Sequence, residues 1–363
     1  MLALHPGYAS GVWRERFGVA TALAIALTVA ALIVAVVEDL PFRDPDSLVG
    51  PTYVRLPIIL LLGYLTDVLP RAVHRAYQAG SLAHTGHEMV VVTRERWPFD
   101  HIRFALLGLG SWYLTYVAFR NLKSYVPYVN HQLFDDAFAA VDRIMFFGND
   151  PPSVLHDLLG TGWAAHVLSF VYIAWIALVP GTLAAALVWS RNVSGGSWLV
   201  TAVAVDWALG AATYYAFPTV GPVYAEPELF AKLVHTPVTS LQETMIAERA
   251  EVLENPWATD AVQTIAAFAS LHVGITVTIC VIAHLLRLHV WVRAALWSFL
   301  FLTVLSTVYL GWHYVADAFG GVLLGLAGVW FAALATGNPL RSRPAQERQA
   351  GAPTRAGHAL SQL

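Results

Sequence analysis

Residues 290–336 read VWVRAALWSFLFLTVLSTVYLGWHYVADAFGGVLLGLAGVWFAALAT, and they hold one cation, Arg293, and one carboxylate, Asp317. About 20 apolar residues cross a bilayer as a helix. The stretch therefore predicts two membrane spans, 291–311 and 315–336, joined by a short turn that contains His313. Polar side chains at membrane depth are costly and are kept for function. His313 and Asp317 are four residues apart, a spacing that predicts one helical face, one turn apart. A carboxylate there can accept the Nδ1 proton of the imidazole and leave Nε2 free to attack or to take a proton.

Working outward, six further apolar runs predict spans at about 17–37, 52–69, 102–119, 162–190, 197–217 and 265–286. The run at 52–69 is the weakest because it holds Arg55 and Asp67. The first follows Arg14 and Arg16 like a signal-peptide core. No small-residue cleavage site follows it, and Glu38-Asp39-Leu40-Pro41 comes next, so it reads as a retained anchor. Composition agrees: 57% of residues are hydrophobic and 12% charged, where a soluble domain is about a quarter charged. The expected fold is an all-α polytopic membrane bundle of about eight transmembrane helices. Residues 1–101 form an N-terminal two-span addition and a basic cytoplasmic connector, 102–336 a six-span catalytic domain, and 337–363 a polar, disordered tail. The net charge of −3 suggests no nucleic-acid partner. The single cysteine, Cys280, excludes a disulfide within the chain, and no internal repeat is evident.

Basic residues mark the cytoplasmic side of a membrane protein. With the N-terminus inside, fourteen arginines fall inside: Arg14, Arg16, Arg71, Arg75, Arg94, Arg96, Arg103, Arg191, Arg287, Arg293, Arg341, Arg343, Arg348 and Arg355. Six basic residues fall outside: Arg43, Arg120, Lys123, Arg143, Lys232 and Arg249. The asymmetry predicts a plasma-membrane protein with both termini cytoplasmic. It also puts His313 and a second histidine, His272, at the outer ends of their spans, which predicts an extracytoplasmic site.

Between spans, residues 70–101 carry His74, His84 and His87 in no metal-site spacing and read as a solvated loop. Two outer loops, about 120–161 and 218–262, are long enough to be functional. The stretch Asp135–Phe147 reads as an amphipathic helix with Phe138, Val141, Ile144 and Met145 on one side, suited to the membrane interface. His166 and His284 are read as packed, hydrogen-bonded residues. Asp206, midway along the fifth span, is read as a structural partner of a Tyr or Trp, with orientation of a site group as the alternative.

Two motifs carry a resemblance. Ala269-Ser270-Leu271-His272 is similar to the P-S-G-H motif of the phosphatidic acid phosphatase type 2 superfamily. Ser306-Thr307-x5-His313-x3-Asp317 is similar to its S-R-x5-H-x3-D motif. The strings Tyr309-Leu310-Gly311-Trp312-His313-Tyr314 and Tyr214-Tyr215-Ala216-Phe217-Pro218-x3-Pro222 resemble the inositol phosphorylceramide synthase-like branch, as do Asp142-Arg143, Phe147-Gly148 and Pro151. The resemblance spans roughly residues 102–336 and implies a six-helix catalytic core. It implies that His313 attacks phosphorus, that Asp317 orients it, and that His272 protonates the leaving alcohol and then deprotonates the acceptor.

This chain also departs from the pattern. The K-x6-R-P motif is absent, and Thr307 stands where the superfamily has an arginine, so the grip on phosphate must come from elsewhere. Arg120, Lys123 and Arg143 are candidates; Arg120 and Lys123 can equally mark the headgroup boundary. Ser270 and Ser306 are further phosphate-binding candidates, Ser306 with simple backbone bonding as its alternative. Gly320-Gly321 read as a close-packing site. No metal and no cofactor are implied. The expected function is transfer of a phosphorylated headgroup, such as inositol phosphate, from a phospholipid donor to a lipid or glycolipid hydroxyl. The alternative is a lipid-phosphate or polyprenyl-phosphate phosphatase with water as acceptor. A transporter or flippase, the third reading, should show repeats or broken helices that are not evident here.

Overall fold

A membrane interior offers the backbone no water, so each apolar run must satisfy its own peptide groups, and a helix does so. The computed structural model describes residues 17–45, 52–338 and 340. Among them every regular element is helical. The α-helices are α1 (Gly18–Val37), α2 (Thr52–Gln78), α3 (Thr85–Arg96), α4 (Phe99–Val129), α5 (Asp135–Met145), α6 (Pro151–Leu159), α7 (Trp163–Ala184), α8 (Val193–Ala216), α9 (Pro222–Ala225), α10 (Pro237–Glu254), α11 (Leu271–Leu285), α12 (Val290–Tyr309) and α13 (Val315–Thr336). Seven of them, α1, α2, α4, α7, α8, α12 and α13, are long and apolar enough to cross a bilayer. The chain is a multi-pass membrane protein with an all-helical fold. Arg14, Arg16, Arg341, Arg343, Arg348, Arg355 and the tail from 341 onward lie outside the described residues, as does the Arg55 side chain.

The sixth expected span differs from its reading. Helix α11 starts at Leu271 rather than 265 and has 15 residues. Ahead of it the chain is non-helical, because its N–H groups find partners across the bundle. Ala267 N–H donates to the Thr219 carbonyl (3.0 Å), Phe268 N–H to Thr219 Oγ1 (2.8 Å), Ala269 N–H to Thr213 Oγ1 (3.0 Å) and Ser270 N–H to the Asp317 carbonyl (3.1 Å). A short helix is tolerated there because protein surrounds it: nearly every residue from Leu271 to Ala283 is buried.

Helix α8 is the central post, buried along most of its length. Lipid is as apolar as leucine, so close packing and interhelical hydrogen bonds hold such a bundle. Trp198 donates through Nε1 to the Val329 carbonyl (3.1 Å). Helices α11 and α13 cross backbone to backbone: a Cβ on Gly321 or Gly325 would collide with the carbonyl oxygen of Ser270 or Gly274. Asp206 accepts from Thr278 Oγ1 (2.7 Å), not from a Tyr or Trp, and lies against Gly328. A threonine one helix away serves because the missing Cβ of Gly328 leaves room for the carboxyl group.

The N-terminal helices join this core. Helix α1 is laced along α4 by Phe17 on Phe104 (ring centroids 5.2 Å), Thr21 with Ser111 (2.9 Å), and reciprocal bonds between Arg43 and Asn121 (2.9 Å each). Asp67, the charge that weakens the second span, is fully buried and paired. It accepts from Arg71 Nη1 (2.6 Å), Arg96 Nε (2.8 Å) and Trp97 Nε1 (3.1 Å). The connector read as a solvated loop is thus a helical hairpin of α2 and α3 around this carboxylate. His166 and His284 are exposed rather than packed. Each stands within about a turn of a helix end, where an imidazole reaches the level of the headgroups.

Candidate active site

The turn between α12 and α13 is built by its glycine. Gly311 has φ of +76°, and a Cβ there would meet the Phe230 ring at 2.5 Å. The turn folds back so that Trp312 N–H and His313 N–H both donate to the Thr307 carbonyl (2.9 and 3.2 Å). His313 therefore stands before the helix, not on it, and Ser306 is not on a continuous helical face with it, because α12 ends at Tyr309. The contact with Asp317 survives by a different route. Asp317 lies in the first turn of α13, and its Oδ2 reaches back to accept from Tyr314 N–H (3.0 Å) and from His313 Nδ1–H (3.2 Å). Both residues are buried.

On the other side, His313 Nε2 lies 3.2 Å from His272 Nδ1. His272 is the second residue of α11 and is held by aromatic walls. Trp175 stands 4.3 Å and Tyr172 5.0 Å from its ring, centroid to centroid, and Trp312 stacks on Tyr172 at 4.9 Å. Trp175 Nε1 donates to the His272 carbonyl (3.1 Å) and to Thr276 Oγ1 (2.9 Å), which fixes the start of the helix. The result is one chain, His272–His313–Asp317, assembled from two helix starts. Burial and the charge of Lys123 hold the His313 imidazole well down, at about 3. A neutral ring with Nδ1–H on a carboxylate presents a lone pair at Nε2.

The other candidates separate. Lys123, on α4, has its Nζ 4.9 Å above the Tyr214 ring. Arg120, one turn earlier, donates to Tyr116 OH (3.2 Å), and its buried Nε has no partner. Arg143 is engaged by two carboxylates, Asp150 (2.6 Å) and Glu226. The Ser270 hydroxyl caps α11, accepting from Val273 N–H (3.4 Å). The Ser306 hydroxyl donates to the Leu168 carbonyl of α7 (2.8 Å).

Two residues that matter were not singled out as site residues in the sequence. Asp142 on α5 caps α13, accepting from Val315 N–H (2.7 Å) and Ala316 N–H (3.0 Å). Asp135, two turns earlier on the same helix, accepts from Gly221 N–H (2.9 Å), Val220 N–H (3.0 Å) and Tyr314 OH (3.1 Å). Their seven-residue spacing on an amphipathic helix was the available signal. Both brace the turn that carries His313 and the helix that carries Asp317. Phe138 turns inward between them, 4.6 Å from Phe268, while Val141, Ile144 and Met145 are exposed. Much of the two long outer loops is thus helical, as α5, α6, α9 and α10. Helix α10 reaches the turn that carries His313, where Gln242 Nε2 donates to the Leu310 carbonyl (2.8 Å).

Residues 136–331, more than half of the chain, match the sequence model of the PAP2 superfamily. No curated protein and no solved structure matches the chain significantly.

Proposed function

The chain belongs to the PAP2 superfamily, and from that premise we propose that it is a membrane phosphotransferase of the inositol phosphorylceramide synthase-like kind, acting through a phosphohistidine. The superfamily supports lipid-phosphate chemistry of the phosphatase or phosphotransferase type. The observation that carries the finer reading is the His272–His313–Asp317 chain at 3.2 Å per link.

In the first step His313 Nε2 attacks phosphorus, the bond from phosphorus to the leaving oxygen breaks, and His272 supplies the proton that oxygen needs. The N-phosphorylated ring keeps its Nδ1 proton and is cationic, and Asp317 lies against that charge. In the second step His272 takes the proton of the acceptor hydroxyl, whose oxygen displaces the histidine. Lys123, with Arg120 behind it, serves as the phosphate grip in place of the missing motif. Arg143, already held by two carboxylates, is set aside for that role. A lipid or sugar hydroxyl as acceptor makes the protein a transferase; water makes it a phosphatase.

On this reading the active site faces the extracytoplasmic side of the plasma membrane, as the distribution of basic residues supports. The Asp67–Arg71–Arg96 cluster stands beside the start of α4 and Lys123 lies 24 residues along it, about 36 Å away along the axis at 1.5 Å per residue. That separation supports a basic inner end and a catalytic outer end. The test is the mass of the trapped protein. A His272→Ala variant incubated briefly with an aryl ester of a phosphorylated headgroup, whose leaving group needs no proton, should form the adduct, be slowed in the second step and carry a mass that retains the headgroup alcohol. A bare phosphohistidine would select the phosphatase reading, and no adduct in any variant would refute both.

A further inference from the structure

Helix α5 has two unlike faces. The inner one carries Asp135 and Asp142, which brace the loop at 220–221 and the start of α13. The outer one is apolar and uncovered: Ile144 is 79% exposed, and Phe147, two residues past the end of the helix, is 96% exposed. Exposed apolar side chains do not stop at α5. Along the chain they recur at Leu158 and Leu159 of α6, beside exposed Asp157, and at Trp163 (80% exposed), Val167 and Phe170 (73%) of α7. Positions 163, 167 and 170 form one stripe of a helix long and apolar enough to span the bilayer, so lipid covers that stripe. Trp163 is the first residue of the helix and stands where indoles mark the headgroup level. The exposed apolar side chains of α5 and α6 therefore lead, within four residues of Leu159, into the headgroup-level start of a lipid-covered helix. No such stretch of aromatic and aliphatic side chains is expected to face water.

We propose that the α5–α6 segment is seated in the membrane interface on the side of the active site, and that this seating holds the catalytic turn in working order. The partner is the bilayer surface itself, and the link is mechanical. Lipid fixes the outer face of α5; the inner face presents Asp142 to the N–H groups of Val315 and Ala316, and Asp135 to the Tyr314 hydroxyl on the residue after His313. A site of this construction is complete only when its membrane is in place. The inference rests on the proposed reaction for its rate readout alone.

Accessibility tests the seating without any activity. In a Cys280→Ala background, a nitroxide on Ile144→Cys or Phe147→Cys in phosphatidylcholine nanodiscs should relax with oxygen and stay shielded from a water-soluble nickel chelate. Strong relaxation by the chelate, or shielding from both reagents as a second protein would give, overturns the proposal. For the link, the double variant Ile144→Asp/Phe147→Asp should lose about tenfold in rate on a water-soluble aryl phosphodiester, the scale of a lost helix cap. The control Leu82→Asp, in the segment between α2 and α3, should lose nothing. Hydrogen exchange at residues 310–316 gives a readout independent of the chemistry. Faster exchange in the double variant supports the link even if no ester is turned over, an outcome that would instead refute the proposed reaction. Unchanged exchange overturns the link.

Discussion

Replacing Asp317 by Asn removes one charge and almost no volume, and its effect on rate follows from the geometry. Asp317 Oδ2 accepts two bonds, from His313 Nδ1–H and Tyr314 N–H. An Asn oxygen placed there keeps both, so the start of α13 and the His313 tautomer survive. The negative charge does not. Before attack His313 is neutral and that charge matters little; once Nε2 is bonded to phosphorus the ring is cationic. Unit charges about 4 Å apart at an effective dielectric of about 20 attract by about 4 kcal/mol. That attraction develops along the reaction, so its loss should slow formation of the phosphoenzyme about a thousandfold. The assay is single-turnover labelling of purified protein by a donor carrying radioactive phosphorus. Thermal unfolding should show that Asp317→Asn still folds. A folded variant within about tenfold of the wild-type rate would refute the assignment of Asp317 as the group that stabilises the imidazolium.

Other outcomes follow from the same site. Because burial and Lys123 hold His313 at about 3 rather than 6.5, the free enzyme keeps a neutral nucleophile in mild acid. With a phosphodiester, which does not titrate there, kcat/KM should not fall as the pH drops through 6.5, and an acid limb centred near 6.5 would sink this reading. Lys123→Met should lower kcat/KM about thirtyfold, the worth of one bond to a charged phosphate oxygen, whereas Arg143→Met should act on stability and spare kcat/KM; equal kinetic losses would return Arg143 to the site. EDTA should leave turnover intact, since among the described residues no group of three or more His, Cys, Asp or Glu side chains is placed to hold a metal ion; loss restored by a divalent ion would contradict that. On intact cells a membrane-impermeant thiol reagent should label Glu228→Cys and not Leu82→Cys, and the reverse pattern would put the site in the cytoplasm.

The spans were legible because hydropathy over 20 residues measures what a bilayer selects, and seven of the eight runs became helices long enough to cross it. The exception shows where that signal ends. Residues 265–270 are as apolar as the helix that follows, yet their N–H groups bond to Thr219, Thr213 and Asp317, partners about 50 residues away in either direction. Hydropathy records that a segment avoids water, not which hydrogen bonds replace it. The pairing of His313 with Asp317 was legible in spacing but not in form, since a first-turn carboxylate reaching back over a tight turn covers the same four residues as a helical face. Nor could sequence rank Lys123 above Arg143. Both were basic and on the same predicted side, and the difference lies in their company: Arg143 meets Asp150, seven residues on, and Glu226, 83 residues on, while Lys123 meets a Tyr214 ring that leaves its charge unspent. The amphipathic pattern of α5 was legible, but what its polar face holds was not, for a related reason. In a soluble protein the apolar face of an amphipathic helix turns inward; beside a membrane the polar face does so when the interior holds helix starts and turns whose N–H groups need acceptors. Asp135 and Asp142 point into the protein because Val220, Gly221, Val315 and Ala316 have N–H groups to offer them there, and Ile144 and Phe147 point out because lipid, not core, is their solvent.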